Sequence, residues 1–126
     1  MATPTTVLIV EDDELLREIY ATKFEMEGFS VETAVDGLEA LEKIKVKEPD
    51  LILLDMIMPR MSGLEFLKVF RPKPDHPNVK TVVMSNKSSP QEINQAKTMG
   101  VIDYLIKSQH TPQDIVRRIR EYLARS

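Results

Sequence analysis

Leu51-Ile52-Leu53-Leu54-Asp55-Met56-Ile57-Met58-Pro59 is the stretch whose reading decides the fold. Four apolar residues run without alternation, and a carboxylate follows at once. A short unbroken apolar run is the signature of a strand buried on both faces, as in a parallel sheet. Working outward, the same form recurs. Val7-Leu8-Ile9-Val10 is followed by Glu11-Asp12-Asp13, Thr81-Val82-Val83-Met84 by Ser85-Asn86, and Ile102 to Ile106 by Lys107. Ser30 to Val35 alternates apolar and polar, as a less buried edge strand does.

Helical patterns fill the intervals. Residues 14–27 predict a first helix burying Leu15, Leu16, Ile19 and Phe24, with Gly28 as its stop. Leu38, Leu41 and Ile44 mark a second helix. Leu64, Leu67 and Phe70 mark a third over residues 63–70. Residues 71–77 hold three prolines and read as a loop. Ser89-Pro90 with Glu92 starts a fourth helix ending at Gly100. Thr111-Pro112 with Asp114 starts a fifth, whose stripe is Ile115, Val116, Ile119 and Leu123. Five strand–helix units predict an α/β fold with a doubly wound parallel sheet. The 126 residues are read as one domain, 1–126, with residues 1–5 as a flexible tail.

Composition narrows the function. Charged residues at 29% and hydrophobic residues at 42% fit a soluble globular chain. With no cysteine, there is no thiolate chemistry and no disulfide framework. Met1 to Thr6 has neither a basic nor an apolar segment, and no apolar run could span a bilayer. A cytoplasmic location without membrane insertion is expected. The net charge of -3 disfavours direct nucleic-acid binding. Arg117, Arg118, Arg120 and Arg125 mostly lie off the apolar stripe of the last helix and read as a solvated face.

Ligands of open parallel sheets bind beyond the carboxyl ends of the strands. Those ends carry Glu11, Asp12 and Asp13, then Asp55, then Ser85 and Asn86, then Lys107. Crowded carboxylates raise one another's pKa unless a cation intervenes, and an all-oxygen set suits Mg²⁺ rather than zinc. His76 and His110 fall in predicted loops and are expected at the surface. An ammonium and a hydroxyl opposite the metal complete a cradle for a transferring phosphoryl group. Asp55 stands alone at a central strand end and is the expected acceptor. Taken singly, each signal is weak: Asp13 reads as a helix cap, Ser85 as a turn residue and Lys107 as solvent-exposed. Their joint placement carries the reading.

With these residues in place, the chain resembles the receiver domains of bacterial two-component response regulators, the CheY-like family. The matching pieces are Val7 to Asp13, Leu54 to Pro59 with Met61 and Gly63, Val82 to Ser85, and Asp103 to Lys107. The resemblance implies a flavodoxin-like strand order 2-1-3-4-5. It implies Asp55 as the phosphorylated residue. It implies Glu11, Asp12, Asp55 and the backbone carbonyl of Ile57 as the Mg²⁺ site. It implies Ser85 and Lys107 as phosphoryl-binding groups, and Ser85 with Tyr104 as a switch in which the aromatic swings inward. Without the family, Tyr104 reads as core. The implied partners are a sensor histidine kinase or phosphotransfer protein and a downstream target or output domain. A homodimer through the face of helix 4, strand 5 and helix 5 is an arrangement the family allows.

Three residues depart from the family's usual pattern. Ser108 stands where proline usually follows the lysine, so a different loop shape is expected there. Asn86 replaces a small residue and is expected to modulate access to the phosphoryl group. Ile57 is apolar where polar residues are common and is expected to slow dephosphorylation. The alternative reading is a degenerate receiver serving as an unphosphorylated scaffold. An aspartyl phosphatase would want a second Asp at position 57, and a flavin binder would want a phosphate loop where the acids stand.

Overall fold

The computed structural model describes residues 3–86 and 89–125. Five strands form one parallel sheet: β1 (Thr6–Val10), β2 (Ser30–Ala34), β3 (Leu51–Asp55), β4 (Lys80–Ser85) and β5 (Asp103–Ile106), in the order β2-β1-β3-β4-β5. Among the described residues, five helices of eight residues or more pack on it: α1 (Glu14–Met26), α2 (Gly37–Val46), α3 (Gly63–Phe70), α4 (Pro90–Thr98) and α5 (Pro112–Ala124). The expected fold class and strand order are therefore observed.

The unbroken apolar strands feed two cores. Leu8, Val10, Ile52, Leu54 and Val83 face α2, α3 and α4 through Ala40, Ile44, Phe66, Leu67, Phe70 and Ala96. Val7, Ile9, Leu51, Leu53, Val82 and Met84 face α1 and α5 through Tyr20, Phe24, Ile115, Val116, Ile119 and Tyr122. Alternate side chains of one strand thus supply both layers.

Register fixes the site. Val10 pairs with Leu54, Asp55 with Met84, and Ser85 with Ile106. The polar residues that follow each apolar run therefore emerge on one edge. The strand order reverses between β1 and β3, so that edge is also the topological switch point.

Several expectations need correction. Leu15 is 67% exposed and Ile19 is also exposed, whereas Tyr20 is buried with Phe24 and Leu16 packs behind them. The helix carries two apolar stripes about 100° apart, and periodicity cannot say which meets the sheet. Leu38 is likewise exposed, its place taken by Ala40. Phe66 joins Leu67 and Phe70 in the core, while Leu64 is only partly buried. In the proline-rich segment, Pro72–Asp75 makes one helical turn, broken at Lys73. His76 is not a free surface residue. It stacks on Phe70 at 4.0 Å between ring centroids, and its Nδ1 lies 2.5 Å from Glu48 Oε2. Of the tail, Met1 and Ala2 lie outside the described residues, and the Thr5 carbonyl accepts from Ser30 N–H at 2.9 Å. Gly28 stops α1 as expected, at φ 94°, a conformation that glycine adopts without strain.

Candidate functional site

Four strand ends and their loops bring Glu11, Asp12, Asp55, Ile57, Asn86 and Lys107 around one open cleft of about 260 Å³. Ser85 and Tyr104 are buried instead, 1% and 8% exposed. Asp13 caps α1, its Oδ1 accepting from Leu16 N–H at 2.9 Å.

Lys107 is not the solvated lysine expected of an isolated strand end; its side chain is 9% exposed. Its Nζ lies 2.5 Å from Glu11 Oε1 and 3.4 Å from Asp55 Oδ1. Glu11 Oε2 accepts from Asp13 N–H at 3.2 Å, so both oxygens of this buried carboxylate are engaged. Burial opposes the Lys107 charge, but the bond to Glu11 and the charges of Asp55 and Glu11 outweigh it and raise its pKa. Asp55 shows the reverse balance. Burial pushes its carboxyl up to about 7, the Glu11 charge adds to this, and Lys107 only partly offsets them.

Glu11, Asp12 and Asp55 present one oxygen each within 4.8 Å of one another. This hard, all-oxygen, self-repelling set fits Mg²⁺, which is held by one or two carboxylates plus other oxygens. Among the described residues it offers no nitrogen or sulfur ligand to zinc. Ile57 is exposed at the rim, and its N–H points to Asp55 Oδ1 at 3.4 Å. Asn86 is exposed on the cleft wall. The residues after the lysine, Lys107–Gln109, form a 3₁₀ turn with Ser108 in place of proline.

Ser85 and Tyr104 are joined by a side-chain hydrogen bond. Burial pushes the Tyr104 hydroxyl pKa up, and the bond to Ser85 lowers it only in part.

Sequence reasoning missed three contributors. Arg17 donates from Nη1 to the Glu11 carbonyl at 2.9 Å and the Asp12 carbonyl at 3.3 Å, holding the acidic turn. Tyr20 is buried beneath the site. Burial raises its pKa, Lys107 lowers it, and Glu11 and Asp55 raise it. Arg60 reaches Asp36, donating from Nε at 2.6 Å. Burial pushes the Asp36 carboxyl up, but the Glu39 N–H and Arg60 outweigh it and hold it below the ordinary range. Only Arg17 had a local signal, an arginine one turn into the helix that follows an acidic loop.

The sequence model of the response regulator receiver domain matches residues 7–120. The chain belongs to the response regulator receiver domain family. It is 34% identical over 123 residues to response regulator MprA of Mycobacterium sp. (strain KMS), covering 98% of this chain and 52% of that protein. It is 29% identical over 120 residues to the phosphate regulon transcriptional regulatory protein PhoB of Rhizobium meliloti, covering 95% of this chain and 52% of that protein. The chain spans about half the length of these curated relatives. Among solved structures it is similar to a CheY-like receiver domain protein from Methanospirillum hungatei, with a TM-score of 0.89 and 28% identity over 97% of this chain and 95% of that one. This receiver domain is thus a two-component signalling module rather than an enzyme acting on an external substrate. Among the described residues no helix is long and apolar enough to cross a membrane.

Proposed function

We propose that this receiver is a cytoplasmic phospho-acceptor switch in which Asp55 takes a phosphoryl group from a phosphohistidine of a sensor kinase or phosphotransfer protein. The observation that carries the reading is the convergence of three acids and a buried lysine on one cleft. An Asp55 oxygen attacks phosphorus in line, the N–P bond breaks, and its electron pair returns to the donor imidazole. Glu11, Asp12, Asp55 and the Ile57 carbonyl are the groups that would hold Mg²⁺. The chemistry supplied by bound Mg²⁺ is neutralisation of charge on the transferring oxygens. Lys107, 3.4 Å from Asp55, is within reach of the same oxygens. Ser85 turning toward the phosphoryl group gives up its bond to Tyr104, and that exchange biases the face formed by α4, β5 and α5.

The donor surface follows from the corrected α1 face. Leu15, Ile19 and Met26 form an exposed stripe that, with Pro112 of α5, lines a groove. A helical phosphodonor with an apolar face fits this groove and lies on the β1–α1 side of the cleft. The arginines of α5 are engaged within the chain. Arg117 pairs with Asp114 at 2.9 Å, Arg118 lies 3.9 Å from Asp103, and Arg120 covers the Phe29 ring at 5.1 Å. This supports a role through protein contacts rather than nucleic-acid contacts by this chain; a homodimer through the α4–β5–α5 face is part of the proposal that these contacts do not bear on.

The test is intact mass after incubation with a small phosphodonor, in Mg²⁺ or EDTA. Wild type should gain one phosphoryl group only with Mg²⁺, and Asp55→Asn none. Labelling of Asp55→Asn would overturn the assignment. Ile57 is 59% exposed and lines the same cleft as Asp55, where its apolar side chain would hinder an attacking water. Ile57→Asn should shorten the phosphoprotein's lifetime, and an unchanged lifetime would remove the Ile57 side chain from the mechanism.

A further inference from the structure

The loop between β3 and α3 carries Ile57 and is expected to donate its carbonyl to the cation, yet among the described contacts the loop's far half has no partner in the cleft. That half is held from outside. Arg60 sits at φ 63°, a conformation that non-glycine residues rarely adopt. From there its side chain crosses to a turn 24 residues earlier in the chain. Its Nε donates to Asp36 Oδ2 at 2.6 Å, and its Nη2 pairs with the same oxygen. Asp36 is 1% exposed, and its Oδ1 accepts from Glu39 N–H at 2.9 Å to cap α2. The carboxylate is therefore fixed before Arg60 arrives, and removing Arg60 would strip a buried charge of its partner.

The next residue repeats the pattern. Met61 lies so close to Gly37 that a Cβ there would stand 2.8 Å from Met61 Cγ. Two consecutive residues of the phosphoacceptor loop thus dock on two consecutive residues of the β2–α2 turn, one by charge and one by close packing. The loop's near end is fixed separately by Gly63 N–H donating to the Met56 carbonyl at 2.9 Å. The span between is short, so a latch at residues 60 and 61 constrains Ile57.

We infer that the Asp36–Gly37 turn is a latch for the phosphoacceptor loop, with Arg60 a positioning residue that sets Mg²⁺ affinity without touching the cation or the phosphoryl group. The inference rests on the phospho-acceptor reading above. An unlatched loop must be ordered each time the cation binds, and that ordering weakens binding. Groups that orient ligands from behind typically alter metal affinity by roughly ten- to a hundredfold.

The test uses the full chain as Arg60→Gly, Asp36→Asn and Arg60→Lys. Glycine tolerates the backbone of residue 60, and asparagine remains a good cap for α2, so each variant removes the tether while sparing the local conformation. Mg²⁺ affinity is measured by calorimetry, and amide hydrogen exchange over residues 56–62 is followed without metal. Arg60→Gly and Asp36→Asn should each weaken Mg²⁺ roughly tenfold and speed exchange across the loop. Saturating Mg²⁺ should restore their phosphorylation rate, and Arg60→Lys should recover part of the affinity. Wild-type affinity in both tether-breaking variants overturns the latch, as does a lower melting temperature with unchanged affinity. If wild type itself neither binds Mg²⁺ nor accepts a phosphoryl group, the phospho-acceptor reading fails instead.

Discussion

Helices α4 and α5 begin almost identically and end up held very differently. Each starts with a hydroxyl N-cap, a proline at the first helical position and an acid at the third: Ser89, Pro90 and Glu92 in one, Thr111, Pro112 and Asp114 in the other. Over the following turns α5 buries Ile115, Val116, Ile119 and Tyr122, whereas α4 buries only Ala96, with Ile93 partly covered. Outside the core α5 is fastened again: Arg120 covers Phe29, and the Tyr122 hydroxyl donates to Asp103. Glu92 and Gln95 of α4 instead border a crevice over Met56, Ile57 and Leu64, beside the β3–α3 loop. Equal helix signals thus produce a scaffold element and a lightly held one, and packing rather than propensity decides which is which. Regions with few buried apolar contacts open at low free-energy cost. On the proposed switch, the helix next to Ser85 and Tyr104 is the one best able to respond to them.

The largest test of this contrast is a pair of truncations. Ile119 is fully buried, and Ile119→Ala should cost about 3 kcal/mol of global stability in urea unfolding. Ile93→Ala should cost about 1 kcal/mol, close to the average substitution. Hydrogen exchange should show α4 amides opening well before those of α5. Equal losses from the two truncations, or equal protection of the two helices, would break the comparison.

The contrast also shows what could be read before the fold was known. Strands and their order of chemistry were legible because unbroken apolar runs such as Leu51 to Leu54 have one physical explanation, and the polar residue after each run must emerge at the sheet's edge. The ends of α4 and α5 were legible because caps are local. Helix faces were less so. Leu15 and Ile19 form as good an apolar stripe as Leu16, Tyr20 and Phe24, and only the sheet's position selects between them. Lys107 was legible as a member of the site but not as the partner of Glu11, because side-chain pairing across 96 residues leaves no periodic trace. The same holds for Arg60 and Asp36, each unremarkable in its own turn.

The smallest test concerns the caps themselves. At α5 the box is complete: Thr111 Oγ1 accepts from Asp114 N–H at 3.1 Å, and Asp114 Oδ2 accepts in return from Thr111 N–H at 3.2 Å. At α4 Ser89 accepts from Glu92 N–H at 3.1 Å, without that return bond among the described contacts. The Thr111 backbone N–H and hydroxyl hold the Asp114 carboxyl below its ordinary range. A carboxyl lowered in the folded state stabilises it above the unfolded pKa, about 3.9 for Asp. That contribution fades as pH falls below this value and through the folded one. The difference in stability between wild type and Asp114→Asn should therefore be present at pH 6 and shrink as the pH approaches 3. Asparagine keeps an oxygen for the return bond, so the difference is small, and the charge alone makes it depend on pH. A gap that stays constant over that range would mean that the carboxylate's charge contributes nothing to the start of α5. The two helix starts would then be equivalent in charge as well as in sequence, leaving burial alone to separate the fixed helix from the responsive one.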